Sequence, residues 1–314
     1  MNPLTQTAAE PASNPSPRVR CPACSAAVSA EGVGIPDHEY DLNQVARYVE
    51  CDTCGTLFQE PMPTVAELAG FYPSDYHSMT HAGLLSRVRN RLRIRRLAKL
   101  IAGEGMILDY GCGDGTFLVK AARSMPNQRF WGFEIADRAE MTILSGGAVT
   151  LVKGALPDLL AVLPMCSLIT LNHVIEHLPD PEAVVIALAN RLLPGGVFEG
   201  QTPAADSLER SVFGHRWSGY HAPRHTVVFS RDGLCRMFVR CGLTAPATRG
   251  AFNPASLAVS LASISHSGRG RIRRGGLRWL SFLAIAATLG PLDLLSGRPG
   301  IVDFVARKRT GSAM

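Results

Sequence analysis

The sequence predicts an α/β domain of the doubly wound, mostly parallel kind, preceded by a small cysteine-bearing module. Three observations carry this prediction. A short apolar run, residues 106–108, ends in Asp109 and a glycine-rich stretch before a helical pattern starts at Thr116. Strand-like and helix-like segments then alternate, as crossovers between parallel strands require. Two Cys-x-x-Cys pairs stand near the N-terminus, well before this alternation begins.

The first 60 residues divide into a tail and a metal-binding module. Residues 1–18 are rich in Pro, Ser, Thr, Ala and Asn and lack an apolar segment, which predicts a flexible tail and not a signal peptide. In residues 19–60, two knuckles can present four thiolates tetrahedrally, the geometry that a structural Zn²⁺ ion takes. The predicted ligands are Cys21, Cys24, Cys51 and Cys54. The alternatives are unligated cysteines or a redox pair, and the latter is disfavoured because neither pair opens a βαβ unit.

Residues 61–105 are predicted to be a linker and a basic helix. Valine and leucine recur at helical spacing around a basic run from Arg87 to Lys99, which predicts an amphipathic helix with an arginine-rich outer face. That face is either solvated surface or a patch for nucleic acid or an acidic membrane. The net charge of +6 permits such a partner without requiring one. Tyr72 and Tyr76 are predicted, from position alone, to line the entrance of a ligand site formed by the following turn.

The glycine-rich stretch predicts a ligand-binding turn at the start of the sheet. Gly111, Gly113 and Gly115 are closer together than in a dinucleotide fingerprint, whose third glycine comes one residue later. Asp109 would repel a pyrophosphate and attract an ammonium group. Glu134 ends the next apolar run, about where an acid grips a ribose diol. The alternative is an ordinary αβ turn without a ligand.

These residues resemble motif I of class I S-adenosylmethionine-dependent methyltransferases and the acid that follows it. The resemblance implies a Rossmann-like, seven-stranded, mostly parallel sheet. It also implies that Gly111, Cys112 and Gly113 hold the methionine part of the cofactor, that Asp109 adjoins it, and that Glu134 takes the ribose hydroxyls. The cysteine knuckles are similar to zinc-ribbon segments fused ahead of some bacterial methyltransferases.

The next predicted elements are a helix over residues 137–144 and a third strand over residues 148–152. In many members of the family, an acid in the loop after this strand contacts the adenine amine. Here the four residues that follow the strand include no acid. A backbone contact from Gly154 or Ala155 is therefore the expected substitute.

The fourth predicted strand, residues 167–172, opens onto His-Val-Ile-Glu-His-Leu-Pro-Asp-Pro at residues 173–181. The first five residues match the H-x-x-E-H string of inverted zinc proteases. The two prolines oppose the sustained helix that such a site needs. The segment closely resembles the EHLPDP loop of small-molecule methyltransferases, including quinone-biosynthesis O-methyltransferases, which borders both cofactor and acceptor. The resemblance implies that Asn172 and His173 contact the cofactor.

A helix over residues 182–192 and a Leu-Pro-Gly-Gly turn lead into the fifth predicted strand at residues 197–200, another feature that resembles the family. The predicted methyltransferase core spans residues 106–250. Residues 201–230 form an insertion on the acceptor side of this core.

Clustered His and Arg side chains in the insertion predict the acceptor site. Histidine is the side chain best suited to take a proton from a hydroxyl near neutral pH. The candidate general bases, unranked, are His225, His221 and His177. Arg224 could pair with a carboxylate or phosphate of the acceptor. Alternatively, these side chains tie down the insertion itself.

The C-terminal part is predicted to complete the sheet after a second insertion. A helix over residues 231–241 and an edge strand over residues 243–248 precede residues 251–296, an apolar and basic helical insertion. It is predicted to cover the acceptor pocket or a subunit interface; a peripheral membrane contact through residues 269–292 is the alternative. No run of apolar residues reaches the length expected of a transmembrane helix. The family resemblance implies that residues 297–314 supply a last, antiparallel strand and a tail.

The sequence thus predicts a cytoplasmic S-adenosylmethionine-dependent methyltransferase with a structural Zn²⁺ site. Attachment to a membrane surface is the alternative localisation. The resemblance implies O-methylation of a small molecule or of a sugar or glycan intermediate. RNA methylation is the first alternative, motivated by the ribbon and the basic helix. A non-catalytic zinc-ribbon interaction protein with a vestigial cofactor fold is the second. A nicotinamide dehydrogenase is disfavoured by the glycine spacing.

Overall fold

The computed structural model describes residues 18–72, 84–101, 103–136, 138–265 and 271–310, with residues 84–86 described by their backbone alone. The predicted flexible tail, apart from Arg18, and Tyr76 lie outside the described residues.

The strands and helices alternate over most of the chain. The strands are β1 Arg18–Arg20, β2 Ala27–Ser29, β3 Val33–Pro36, β4 Val45–Glu50, β5 Leu57–Gln59, β6 Gly105–Tyr110, β7 Gln128–Ile135, β8 Glu140–Leu144, β9 Val149–Gly154, β10 Cys166–Asn172, β11 Leu192–Pro203, β12 Val227–Val228, β13 Ala247–Gly250 and β14 Ile301–Arg307. The helices are α1 Val65–Gly70, α2 Leu84–Leu100, α3 Thr116–Ser124, α4 Leu156–Val162, α5 Pro181–Ala189, α6 Leu208–Phe213, α7 Arg231–Arg240, α8 Pro254–Ser265 and α9 Gly276–Leu295.

Eight strands form the central sheet, in the order β13-β14-β11-β10-β6-β7-β9-β8. The five strands from β11 to β9 in this order are parallel to one another. β14 lies antiparallel between β11 and β13, which confirms the predicted insertion of the last strand. The connection after β6 leads to β7 on one side, whereas β10 lies on the other. This reversal makes the carboxyl ends of β6 and β10 the place where doubly wound sheets bind ligands.

Both faces of the sheet are buried, as a doubly wound fold requires. Ile107 and Leu168 face a core that includes Leu97 of α2 and Leu118 of α3. Side chains on the other face of the sheet, such as Ile169, face a second core with residues of α5 and α7. Each fully buried aliphatic side chain contributes about 1.5–3 kcal/mol.

The predicted helix over residues 137–144 is wrong, and so is the predicted count of seven strands. Residues 140–144 form β8, which pairs antiparallel with β9 and adds an edge to the sheet. The turn between them is Ser145–Gly147, whose three residues all have positive φ. Gly-Gly between two apolar segments is a hairpin signal because glycine adopts positive φ without strain. The sequence interpretation overlooked this signal.

The cysteine module is built into the same body as the insertion. β3, β4 and β5 form a second sheet whose fourth strand is β12 from residues 201–230, in the order β12-β5-β4-β3. Leu57 and Phe58 of β5 pair with Val228 and Val227. The module and the predicted acceptor side therefore share backbone hydrogen bonds.

The basic helix is α2, but its arginines do not all point outward as predicted. Arg93 donates to the Asp109 carboxylate over 2.7 Å, and Arg96 pairs with Glu199 of β11 and Asp303 of β14. These acids lie on the face of the sheet that α2 covers. Their negative charges attract the guanidinium groups of Arg93 and Arg96 toward the sheet. The spacing of apolar residues along the helix cannot predict this pairing. Other arginines of α2, such as Arg91, remain exposed.

The second insertion forms a helical hairpin in which α8 packs on the first insertion. Ser218 donates its backbone N–H to Ser260 of α8 over 2.9 Å. α9 lies outside α8, and its Leu277 and Leu295 are more than four-fifths exposed. α9 is therefore largely exposed within this chain and not buried as predicted, whereas α8 packs on the first insertion. A role of α9 at a subunit interface stays a prediction. Within the described residues, α9 alone has the length and apolar composition to cross a bilayer, and only 11% of its most apolar stretch is buried. Peripheral membrane contact stays a prediction.

Candidate cofactor and acceptor sites

The glycine turn after β6 has the backbone geometry that the sequence predicted. Gly111, Gly113 and Gly115 have φ of 79°, 58° and 72°, in the left-handed region that favours glycine. A Cβ on Gly111 would approach Cγ2 of Val174 to 2.4 Å, so the turn is packed on that side. At Gly113 the corresponding space is open. A ligand can therefore approach the backbone at Gly113.

Glu134 ends β7 beside this turn. Its Oε2 accepts a hydrogen bond of 2.7 Å from the Gly113 N–H. Burial raises the pKa of Glu134, and hydrogen bonds from Gly113 and Ile135 oppose that effect. The structure thus brings Gly111, Cys112, Gly113 and Glu134 together at the carboxyl edge of the sheet, and their contacts with a cofactor stay a prediction.

Asp109 does not present a free carboxylate to this space. Its Oδ1 accepts hydrogen bonds from Arg93 and from the Thr170 hydroxyl, and the residue is only 4% exposed. Asp109 points to the α2 face because it has the same strand parity as Ile107, which faces α2. A direct contact between Asp109 and the cofactor ammonium is therefore not what the geometry favours.

Asn172 and His173 follow β10 and are bonded within the protein. Asn172 donates to Glu199 over 3.1 Å. His173 has a φ of 54° and places its ring nitrogens 3.3 Å from Glu176 and 2.8 Å from Gln201. Burial lowers the pKa of His173, but the hydrogen bond and charge of Glu176 outweigh it and raise the pKa. His173 therefore serves to hold Glu176, and its role toward the cofactor stays a prediction.

The loop after β9 changes the expected adenine contact. Ala155 donates its backbone N–H to the Asp158 carboxylate over 2.8 Å, and the Gly154 carbonyl accepts from Ala136 over 3.1 Å. Asp158 stands two residues beyond the stretch in which the sequence interpretation sought an acid. The N–H of Ala155 is thus already used to cap α4.

The three candidate bases cluster at the acceptor side, beside Glu176. The ring centroids of His177 and His225 are 4.6 Å apart, and those of His221 and His225 are 5.0 Å apart. The Tyr72 hydroxyl lies 2.9 Å from Nδ1 of His177. Burial raises the pKa of Tyr72 to about 12, and the charges of Glu176 and Glu134 add to this effect. Tyr72 therefore lies beside the histidines, and its predicted place at the cofactor entrance stays a prediction.

The hydrogen bonds separate the three histidines by role. His221 places Nδ1 2.6 Å from the Glu39 carboxylate, and its Nε2 accepts from Nε of Arg224 over 3.0 Å. Nδ1 of His177 and of His225 face the carbonyls of Arg224 and Gly219 at 3.1 and 2.8 Å. No residue that the structure describes hydrogen-bonds to the Nε2 atoms of these two rings. With Nδ1 donating to its carbonyl, each of these rings has its lone pair on Nε2, and at His177 the Tyr72 hydroxyl oxygen also lies near Nδ1. Both ring nitrogens of His221 are engaged.

Burial keeps all three rings neutral. It lowers the pKa of His177 to about 4 and that of His221 to about 3, and it lowers the pKa of His225 well below its usual value. The charge of Glu176 partly opposes this effect at His177, while neighbouring histidines reinforce it at His225. Neutral imidazoles can accept a proton or bind a cation.

Arg224 is a structural residue and not a partner for an acceptor anion. Its side chain is fully buried and binds Asp37 through two hydrogen bonds of 3.0 Å. The insertion is also held by Tyr48 and Gln59, whose side chains donate to the His225 carbonyl over 2.5 and 2.8 Å. Sequence reasoning missed Asp37, Tyr48 and Gln59, since no local pattern links residues more than 150 positions apart.

The four predicted zinc ligands come together. Sγ of Cys21 lies 3.8 Å from that of Cys54, Cys24 lies 3.5 Å from Cys51, and all four sulfurs lie within 4.8 Å of one another. Zn–S bonds of about 2.3 Å place tetrahedral ligands about 3.8 Å apart. The donor set and its spacing therefore fit a structural Zn²⁺ ion.

Comparisons with known proteins identify the family of the chain. A family model described as "Methyltransferase domain" matches residues 85–246, more than half of the chain. A ubiquinone biosynthesis O-methyltransferase of Chromobacterium violaceum is 29% identical over 174 residues, which cover 51% of this chain and 74% of that protein. A second protein of that name, from Cupriavidus pinatubonensis, is 33% identical over 102 residues, 31% of this chain and 40% of that protein. The crystal structure of a SAM-dependent methyltransferase from Archaeoglobus fulgidus has a TM-score of 0.45 and 15% identity, covering 71% of this chain and 94% of that one. The chain belongs to the methyltransferase domain family and is an S-adenosylmethionine-dependent methyltransferase.

Proposed function

We propose that this enzyme methylates a hydroxyl oxygen of a small molecule, such as a sugar or glycan intermediate. The observation that carries the proposal is the pair of neutral imidazoles of His177, which is half-buried, and His225, which is buried. Nδ1 of each faces a backbone carbonyl, and Nε2 then carries the lone pair. The lone pair of a neutral imidazole nitrogen can accept a hydrogen bond from an acceptor hydroxyl. The names of the two relatives, both O-methyltransferases, support the same class of reaction.

The cofactor is proposed to lie along the glycine turn, with its ribose on Glu134. The free space at Gly113 and the position of Glu134 support this placement. When bound, S-adenosylmethionine supplies a methyl group on a positively charged sulfur. Tyr72 places its hydroxyl 2.9 Å from Nδ1 of His177, and we propose that its ring helps to exclude water there. Positioning and water exclusion are the main contributions that a protein makes to such a displacement.

The reaction joins the acceptor oxygen to the methyl carbon as the bond from that carbon to sulfur breaks. The acceptor hydroxyl loses one proton, so the products are a methyl ether and S-adenosylhomocysteine. His177 and His225 are the remaining candidate bases, because both ring nitrogens of His221 are engaged. Each can orient the hydroxyl so that an oxygen lone pair faces the methyl group.

The cysteine cluster is proposed to hold a structural Zn²⁺ ion. Four thiolates fill the tetrahedral coordination of zinc and leave no position for an acceptor. The cluster therefore serves folding, and through β5 it supports β12 and the histidine-bearing insertion.

Calorimetric titration with S-adenosylmethionine, S-adenosylhomocysteine and NAD tests the cofactor assignment. We expect binding of the two adenosyl ligands alone, weakened at least tenfold in Glu134→Ala because a bidentate grip on the ribose diol is lost, a change of about 1.4 kcal/mol or more. Glu140→Ala, which removes an exposed acid of the edge strand β8, is the matched control and should bind like the wild type. Equal affinities for Glu134→Ala and Glu140→Ala would contradict the placement.

A further inference from the structure

We propose that Glu176, His177 and His225 form a second metal site, which takes a first-row divalent transition-metal ion and is separate from the four-cysteine cluster. One ligating atom from each of the three residues lies within 4.8 Å of the others. Bonds of about 2.0–2.2 Å would place such atoms about 3–3.5 Å apart on a shared ion. Binding of an ion would have to draw these atoms together by about 1–2 Å.

The imidazoles are oriented as metal ligands usually are. Metal-bound histidines commonly donate the other ring N–H to a carbonyl or carboxylate, which fixes the tautomer and the ring plane. Nδ1 of His225 faces the Gly219 carbonyl at 2.8 Å, and Nδ1 of His177 faces the Arg224 carbonyl at 3.1 Å. Donation from Nδ1 to these carbonyls leaves Nε2 as the ligating atom, and at His177 the Tyr72 hydroxyl oxygen lies 2.9 Å from the same Nδ1.

Hydrogen bonds also fix the carboxylate of Glu176. Glu176 is fully buried, its Oε2 accepts from the Thr202 hydroxyl over 3.1 Å, and its Oε1 lies 3.3 Å from His173. Each carboxylate oxygen has a lone pair beyond these contacts. A buried negative charge next to two neutral rings attracts a cation.

The site explains the H-x-x-E-H string in a way that the zinc-protease interpretation could not. Residues Ile175–His177 form a single 3-10 turn, so no sustained helix aligns the two histidines of the string. His173 uses both ring nitrogens for Glu176 and Gln201. The third ligand, His225, comes from the insertion. Two imidazoles and one carboxylate suit a divalent transition metal and leave coordination positions open.

The open positions give the ion a role in methyl transfer, and this part of the inference rests on the proposed function. An acceptor hydroxyl bound to the ion through oxygen has a lowered pKa and releases its proton to water. The oxygen then forms its bond to the methyl carbon while the carbon–sulfur bond breaks, as in the reaction above. In the metal-bound enzyme the histidines act as ligands, and no ring has to take up the proton.

Cobalt titration of the full, zinc-loaded chain tests the site without turnover. We expect one equivalent of Co²⁺ to bind beyond the zinc already present, with d–d absorption bands but no thiolate-to-metal charge-transfer band. His225→Ala and the near-isosteric Glu176→Gln should each weaken this binding at least tenfold. His215→Ala removes an exposed histidine of the same insertion and should leave it unchanged.

Binding of S-adenosylhomocysteine, measured on each variant, shows that the protein is folded. Absence of a second equivalent in the wild type, or a second equivalent that survives both ligand substitutions, overturns the proposal. Failure of the proposed function looks different: cobalt binds as expected, yet no hydroxyl acceptor is methylated. Loss of cobalt binding in both ligand variants together with intact methyl transfer would support the metal site and overturn only the role of the ion in the reaction.

Discussion

Arg224 uses all five of its guanidinium N–H groups inside the protein. Two go to Asp37, and the others go to His221 and to the carbonyls of Phe71 and Ala222. Both Arg224 and the Asp37 side chain are fully buried. A charge in such a place is tolerated only while its partner remains. This pair therefore fixes the loop between His221 and His225 on the cysteine module.

Asp37→Asn is expected to lower the free energy of unfolding by about 3–5 kcal/mol, because it leaves the Arg224 charge buried and unpaired. Urea denaturation at neutral pH measures this change. Asp232→Asn is the matched control, since it removes an acid from an exposed ion pair with Arg236 and should leave stability within error of the wild type. Equal stability of Asp37→Asn and Asp232→Asn would show that the buried pair does not hold the loop.

At the residue scale, the sequence predicted where the site residues lie in the fold better than it predicted their hydrogen-bond and ion-pair partners. Glu134 and the glycines of the turn follow from local order, because strand, turn and helix lie next to each other in the chain. Asp109 occupies its predicted position, yet Arg93 neutralises it from a separate helix. His221 and Arg224 were correctly grouped but bind acids of the cysteine module, which no local pattern could reveal.

At the element scale, α6 and α9 meet through two carboxyl groups that share one environment. Burial and the charge of Asp293 in α9 raise the pKa of Glu209 to about 7. Burial also raises the pKa of Asp293, whose Oδ2 accepts from the Gly300 N–H over 3.0 Å. The charged group that faces Glu209 is therefore another acid, and the Trp217 indole is a neutral neighbour.

Glu209→Gln is expected to stabilise the protein at pH 8 by about 1–3 kcal/mol and to change little at pH 5. A carboxyl whose pKa is higher in the folded state binds more protons there than in the unfolded chain. Its contribution to stability is present below the unfolded pKa of about 4.3 and is lost as pH rises toward 7. Thermal unfolding across this pH range measures the effect, with exposed Glu104→Gln as the control. A gain that is equal at both pH values would contradict the assignment.

Strands and helices were predicted well where burial imposes a strong apolar pattern on the sequence, and poorly at the edges of the fold. The parallel strands and α7 follow from apolar runs and a glycine stop, and they agree with the structure within a few residues. β8 was mistaken for a helix because an edge strand is only half buried and its short apolar pattern fits either structure. α9 was interpreted as a buried cover because its composition is apolar. Composition alone does not say what, if anything, packs against the apolar face of a helix.

On the scale of the whole molecule, the cysteine cluster and the histidine cluster are connected by a short path. The Ser230 hydroxyl donates to the Cys54 carbonyl, and β5 then pairs with β12. Gln59 at the end of β5 donates to the carbonyls of Pro223 and His225. A change in the cysteine knuckles can therefore reach His225 without crossing the central sheet. The glycine turn and Glu134 belong to the sheet and have no part in this path.

Removing the proposed structural metal should consequently affect the proposed acceptor side more than the proposed cofactor side. In Cys51→Ser, amide hydrogen exchange over residues 218–230 is expected to rise, because the knuckles that anchor β5 lose a ligand worth a large part of the module's folding free energy. Affinity for S-adenosylhomocysteine should change less than about twofold, since Glu134 and the glycine turn keep their own support. Cys235→Ser removes a thiol of α7 outside the cluster and should alter neither quantity. If exchange over residues 218–230 were the same in both variants, or if cofactor affinity fell together with protection, the module would act on the whole fold and not on the acceptor site alone.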